Sequence, residues 1–251
     1  MIGVIGGMGP LATADFFRKV IECTSAADDA GHVPLLISSD PRIPPRPAAI
    51  LEQAESPLPA LRTIRDRLLA AGAQALVMPC NTAHCWHADL MRDCPVPFPS
   101  IVSVSAEAAL ARQASGGNGR VGLIATRATL AANLFEPELA RRGLQAVQPS
   151  NDTLDRWILP AIALVKAGRV GDAQPLMAQA VERLLTDGAG FVLLACTEAP
   201  LALAEAPRPL RELAVDTTLE LARQTVKLWG ELRQHPTAEL SCHDAERRAV
   251  P

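Results

Sequence analysis

The stretches GAQALVMPC (Gly72–Cys80) and GAGFVLLAC (Gly188–Cys196) carry one pattern twice, 116 residues apart. Each opens on Gly-Ala, continues through apolar residues, and stops at a cysteine followed by small polar residues, Asn81-Thr82 in the first copy and Thr197-Glu198 in the second. Apolar residues on consecutive positions, without alternation, mark a strand covered on both faces, as in a parallel sheet between helical layers. The duplication extends outward. IGVIGGMGPLA (Ile2–Ala12) aligns with VGLIATRATLA (Val121–Ala131) at an offset of 119, so four similar elements recur in the same order at nearly the same spacing.

Further β-rich runs are VPLLIS (Val33–Ser38), FPSIV (Phe98–Val102), LQAVQ (Leu144–Gln148) and RELAVD (Arg211–Asp216). They alternate with amphipathic segments such as Leu58–Ala71, Ser105–Ala114 and Ala173–Thr186, the signature of repeated βα units. The pattern predicts an α/β fold of two pseudo-symmetric, doubly wound lobes with mainly parallel sheets and an active site in the cleft between them. The loop signal ARQASGGNGRVG (Ala111–Gly122) places the join. A helix over Asp216–Glu231 follows a run resembling FPSIV and is expected to pack back on the first lobe. The lobes are therefore read as 1–104 plus 213–233 and 105–212, with the polar, aperiodic residues 234–251 as a mobile tail.

A chain of 251 residues with 49% hydrophobic content has ample material for a core. The net charge of −3, without a basic run, gives no footprint for nucleic acid or an anionic membrane. The expected partners are small molecules and other copies of the chain. The first residues lack the cationic start and apolar core of a signal peptide, and no run approaches the roughly 20 apolar residues of a spanning helix. A cytoplasmic protein whose six cysteines are free thiols is the expectation.

In open α/β sheets ligands bind beyond the carboxyl ends of the strands, where Cys80 and Cys196 both fall. A thiol at the start of a helix feels the positive end of its dipole, which is expected to lower its pKa. A lone cysteine is often no more than a small buried apolar residue. Two at equivalent positions of a repeat, each followed by polar residues, are hard to obtain from packing. Two lobes related by a pseudo-twofold would set these thiols on opposite sides of a bound molecule. Inverting a carbon stereocentre without a cofactor needs that arrangement, one group removing a proton and the other delivering one to the opposite face.

With IGVIGGMGPLATADFF, MPCNTAH and ACTE in place, the chain resembles the aspartate/glutamate racemase family, most closely its aspartate racemase branch, from residue 2 to about residue 230. The resemblance implies two pseudo-symmetric domains, a mechanism independent of PLP or any other cofactor, and a homodimer. It implies Cys80 and Cys196 as the acid/base pair, and Arg46 of PRIPPRP with Lys166 of VKAG as partners of a side-chain carboxylate. Asn81, Thr82, Thr126, Thr197 and Glu198 match positions around the α-carboxylate and amino group. Departures from the branch are Pro45 and Pro47, which stiffen the loop around Arg46, and Arg127, which adds a cation expected close to the cleft.

Other features read more plainly. The glycine-rich GVIGGMGP suits anion binding by backbone N–H groups, but no acidic residue closes the second strand as a ribose ligand at the expected distance, since Asp28 and Asp29, about 20 residues on, precede that strand. Met8 and Gly9 are read as part of the substrate cradle. Cys80, His84, Cys85 and His87 resemble a metal cluster only on paper, because a helix that joins Cys80 to His84 turns Cys85 away; no metal is expected, and His84 is read as a hydrogen-bonding neighbour of Cys80. Within the arginine loop, Arg46 is favoured over Arg42 because a bidentate guanidinium suits a carboxylate. The expected activity is racemisation of an acidic amino acid, aspartate first. The alternatives are a hydantoin racemase, a maleate isomerase, an arylmalonate decarboxylase, or a non-catalytic amino-acid-binding protein.

Overall fold

The computed structural model describes residues 1–234; the expected tail from residue 235 onward, with Cys242, lies outside the described residues. Among the described residues, seven strands form two parallel sheets. The first contains β1 (Ile2–Gly6), β2 (Leu35–Ser39) and β3 (Ala75–Val77) in the order β2-β1-β3. The second contains β4 (Arg120–Leu123), β5 (Gln145–Val147), β6 (Phe191–Leu194) and β7 (Ala214–Asp216) in the order β5-β4-β6-β7. The alignment seen in the sequence is therefore an alignment of topology: β1 pairs with β3 through Val4 opposite Val77, and β4 pairs with β6 through Leu123 opposite Leu193.

The physical cause of the repeat lies in the Gly-Ala pairs. Helices Leu58–Ala70 and Val170–Thr186 end at glycines with left-handed backbone, Gly72 at φ 89° and Gly188 at φ 95°. In each, two backbone bonds close the helix end, Gly72 N to Leu69 O and Ala73 N to Leu68 O, matched by Gly188 N to Leu185 O and Ala189 N to Leu184 O. The chain then turns straight into the strand. Ala73 packs beneath Gly3 of β1, and Ala189 beneath Gly122 of β4. A Cβ on Gly3 would lie 2.8 to 3.1 Å from Leu76, Ala73 and Leu68, and one on Gly122 would lie 3.1 to 3.2 Å from Leu184, Val192 and Ala189. The two sets of neighbours correspond residue for residue at the offset of 116.

Alternate strand residues separate the cores. Ile2, Val4, Ala75 and Val77 face the same cluster as Val121, Leu123, Phe191 and Leu193, with Phe16 and Val20 of helix Pro10–Cys23, Ile101, Val102 and Ala106 of helix Ile101–Ala114, and Leu221, Ala222 and Leu228 of helix Thr217–Gln234 between them. The opposite faces of the sheets are covered separately, by Leu61, Ile64 and Leu68 in the first and by Ala180, Val181 and Leu184 in the second. Helix Thr217–Gln234 packs against helices Pro10–Cys23 and Ile101–Ala114.

Two expected strands change. FPSIV is not a strand: Phe98–Ser100 is extended coil and Ile101 opens a helix capped by Ser100, whose hydroxyl accepts from the Val102 and Ser103 amides. Pro97 O still accepts from Leu76 N at 2.9 Å, as Leu213 O does from Val192 N at 2.8 Å. Pro97 and Pro99 have no N–H to continue that ladder, so the first sheet stops one strand short of the second. RELAVD divides into a short helix, Arg208–Glu212, favoured by Pro209 in its first turn, and β7. By pairing with β6, β7 belongs to the second sheet, although residue 213 onward is assigned to the first lobe from sequence.

Because two of the three neighbours at each site are Cβ atoms fixed to the backbone, Ala73 and Leu68 beside Gly3 and Ala189 and Leu184 beside Gly122, Gly3→Ala and Gly122→Ala are each expected to cost about 1–3 kcal/mol, the usual size of core overpacking. Urea unfolding of the two variants, giving losses of similar size, checks their equivalence.

Candidate active site

Leu76 and Met78 lie on the outer face of the first sheet, and two residues further Cys80 joins their cluster; Val192, Leu194 and Cys196 repeat this in the second. Each thiol is 5% exposed and lies two or three residues beyond the end of a strand. From these two ends Cys80, Asn81 and Thr82, and Cys196, Thr197 and Glu198, converge on one cavity of about 30 Å3. Met8 from the glycine-rich loop, Thr126 from the end of β4, and Arg46, Pro47 and Lys166 complete its wall. A volume of this size holds about two waters. Arg46, Lys166 and Glu198 also border an adjoining cavity of 240 Å3 that includes Gly9, Pro10, Leu11, Pro41 and Val165. Gly9 thus faces the outer chamber, and every other site residue expected from sequence lines the inner one.

Arg46 is the first residue of helix Arg46–Leu51, with Pro45 as its cap and Pro47 in its first turn. Its Nη1 donates to Ile43 O and Pro44 O, both at 3.0 Å. Nε and Nη2 make no hydrogen bond among the described residues, which leaves one edge of the guanidinium for a carboxylate. Arg127 is turned elsewhere. It pairs with Asp155 and Asn151 on the surface and does not line the cavity, so the cation expected close to the cleft is absent from it.

The thiols do not behave as the helix starts predict. Burial pushes the Cys80 pKa up, although the Arg46 charge and the Ala83 N–H oppose the shift. Burial pushes Cys196 up further, and the Glu198 carboxylate adds to it. The segment after Cys80 is a five-residue 3-10 turn and that after Cys196 a five-residue helix, too short for a dipole that offsets desolvation. The two sites are also unequal. Cys196 Sγ donates to Glu198 Oε2 at 3.1 Å, Thr197 Oγ1 donates to the same oxygen at 3.2 Å, and Lys166 Nζ lies 3.8 Å from Oε1. The residue corresponding to Glu198 in the first copy is Thr82, which instead shares hydroxyl contacts with Thr129 at 2.8 Å and Thr126 at 3.3 Å.

His84 is buried and neutral. Its Nε2 accepts from Ile101 N at 3.0 Å, so Nδ1 carries the proton and donates to Cys80 O at 2.8 Å. Burial pushes its pKa down to about 3. His84 therefore ties the Cys80 turn to the start of helix Ile101–Ala114, the neighbouring role expected of it, and His87 bonds to Phe98 O. Cys23, Cys80, Cys85, Cys94 and Cys196 are free thiols.

Sequence reasoning missed Thr129 and Thr217. Thr129 closes the hydroxyl cluster with Thr82 and Thr126, and the T-x-x-T spacing of a capping residue and its third neighbour could have revealed it. Thr217 receives a hydrogen bond from Asn81 Nδ2 at 3.0 Å across 136 residues of sequence, and no local signal marks it.

The model of the Asp/Glu/hydantoin racemase family matches residues 5–225. Among solved structures, the aspartate racemase of Picrophilus torridus superposes with a TM-score of 0.76 at 28% identity, covering 91% of this chain and 94% of that one. Among curated proteins, the glutamate racemase of Ectopseudomonas mendocina is 29% identical over 92% of this chain and 82% of its own length. The broad-specificity amino-acid racemase RacX of Bacillus subtilis is 23% identical over 91% and 98%. The chain belongs to the Asp/Glu/hydantoin racemase family. It is an amino-acid racemase, an isomerase built on parallel α/β sheets. No helix among the described residues is long and apolar enough to cross a membrane.

Two measurements probe this electrostatic picture. Peptide-resolved alkylation of the folded protein from pH 7 to 10 is expected to accelerate with pH at both thiols and to modify Cys80 before Cys196; Glu198→Gln, which removes a negative charge beside Cys196, should raise the rate there. For His84, the unfolded ring takes a proton near pH 6.5 and the folded ring only near 3, so the unfolded state binds more protons across that window. Stability should therefore fall as pH drops from 7 to 5, and urea midpoints should show a shallower fall in His84→Gln.

Proposed function

We propose that the enzyme racemises an acidic amino acid, aspartate first and glutamate within reach, by proton transfer between Cys80 and Cys196 without a cofactor. The observation that carries this reading is the convergence on one cavity of two buried thiols from equivalent strand ends, beside the cations Arg46 and Lys166. In one direction the thiolate of one cysteine takes the α-proton, and the electron pair of the C–H bond passes into the α-carboxylate as a planar enediolate. The S–H of the other cysteine delivers its proton to the opposite face, so the reaction ends with thiol and thiolate exchanged. The Thr82 and Thr126 hydroxyls, which line the cavity, are placed to stabilise the charge that gathers on the carboxylate.

The raised thiol pKa values describe the site before substrate enters. An ammonium group brought against a buried sulfur favours its thiolate form, so substrate supplies part of the activation. Cys80, helped by Arg46 and the Ala83 amide, is the easier of the two to ionise; Glu198 keeps the proton on Cys196. Arg46 and Lys166 line both the inner and the outer cavity, which supports a side-chain carboxylate between them. The outer chamber accepts an additional methylene, which supports glutamate beside aspartate. The likeness to an aspartate racemase supports aspartate first. A two-lobed homodimer in the cytoplasm completes the reading, with each lobe centred on one sheet. Two matched thiols argue against arylmalonate decarboxylase chemistry, in which one proton delivery suffices, and the cations Arg46 and Lys166 favour a substrate with a side-chain carboxylate over a hydantoin ring.

Incubation of the reduced protein with each enantiomer of aspartate, glutamate and a neutral panel in deuterated buffer is expected to incorporate α-deuterium and invert the acidic substrates. Cys80→Ser and Cys196→Ser should each abolish net racemisation, and Arg46→Ala or Lys166→Ala should raise KM for acidic substrates tenfold or more, the loss of a charge-assisted hydrogen bond. Wild-type turnover in either serine variant would refute the two-base assignment.

A further inference from the structure

We propose that Thr217 is a positioning residue that locks the side-chain amide of Asn81 with its oxygen free, as the acceptor for the substrate's ammonium group. The assignment rests on the reading that an amino acid occupies the cavity between Cys80 and Cys196.

The argument is a proton count. Thr217 is fully buried, and its Oγ1 lies 2.9 Å from Leu194 O and 3.0 Å from the Asn81 amide. A carbonyl oxygen only accepts, so the single hydroxyl proton goes to Leu194 O. Oγ1 must then accept from Asn81, and the amide is obliged to present Nδ2 to it. Its other end, Oδ1, is buried and has no hydrogen-bond partner among the described residues. Asn81 is 2% exposed and lines the cavity with both thiols. A buried acceptor without a donor is uncommon in a folded protein and asks for one from a ligand. An ammonium group, with three N–H donors, meets that demand; a carboxylate, which only accepts, does not.

Thr217 is itself held from behind. Asp216 Oδ1 accepts from Thr218 N and Leu219 N at 2.9 and 3.1 Å, which fixes the start of helix Thr217–Gln234. Asp216 Oδ2 lies 2.6 Å from Nζ of the buried Lys19, and Lys19 lies 2.5 Å from Asp15 on helix Pro10–Cys23. Thr217 does not line the cavity, so it acts through Asn81. Without its hydroxyl the amide is free to rotate and present Nδ2 to the ammonium group, replacing attraction by repulsion.

The test compares aspartate with succinate, which is aspartate without its amino group, in wild type, Thr217→Val and Thr217→Ser. Thr217→Val is expected to weaken aspartate binding and raise KM about tenfold, the size of one hydrogen bond to a charged group, with kcat changed less than about threefold. Succinate affinity should stay within about twofold, and Thr217→Ser should restore aspartate. Equal losses for both ligands would assign Thr217 a merely structural role and overturn the proposal, as would unchanged aspartate binding. Thr217→Ala provides the same comparison if the valine variant does not melt cooperatively. If the exchange panel identifies a different amino acid, that substrate and its des-amino analogue replace the pair. A wild type that exchanges no α-proton overturns the racemisation reading itself, before any variant is made.

Discussion

The two sheets are held by one apolar layer that neither could fill alone. Ile2, Val4 and Val77 on one side and Val121, Leu123 and Leu193 on the other are buried against the same three helices, and this shared packing sets the strand ends toward a common cleft. A parallel strand must be covered on both faces, and the repeat meets this need by giving each sheet a private outer layer and a common inner one. Strand parity then does the rest. The residues that face outward are Leu76 and Met78 in one copy and Val192 and Leu194 in the other, and the next in each series is a cysteine.

The polar atoms of the site complete what the apolar layer begins. The Thr82 hydroxyl meets Thr126 and Thr129 from the second half of the chain, and Asn81 reaches Thr217 beyond β7. These hydrogen bonds near the thiols thus also join distant parts of the sequence. The buried Lys19 between Asp15 and Asp216 ties the helices behind them. Such a pair is held by geometry and desolvation together, and loss of one partner strands a charge in the interior.

Much of this was legible in the sequence because it is local or repeated. GAQALVMPC and GAGFVLLAC announce a strand with a thiol just beyond it, and both appear where expected; the helix end and the packing alanine supplied by each Gly-Ala pair became visible only in the fold. FPSIV was misread because its apolar, β-branched composition outweighed two prolines that remove the donors a strand needs. The thiol pKa direction was misread because a helix start is visible in sequence and desolvation is not. Arg127 could not be placed, since its partners Asp155 and Asn151 lie more than 20 residues away. Thr217 was beyond reach for the same reason, its role residing in a proton count among three groups that only the fold assembles.

Glu198 stands against one thiol and has no counterpart at the other, and this inequality has a thermodynamic limit. Two enantiomers have equal free energy in an achiral solvent, so their interconversion has an equilibrium constant of one. The Haldane relation then requires kcat/KM to be identical in the two directions, whatever carboxylate leans on Cys196. The asymmetry can be expressed only within that ratio: the enantiomer whose bound state Glu198 favours is held more tightly and released into reaction more slowly, in equal proportion. A lopsided site is thereby compatible with a balanced reaction, and the lopsidedness governs which enantiomer saturates the enzyme first.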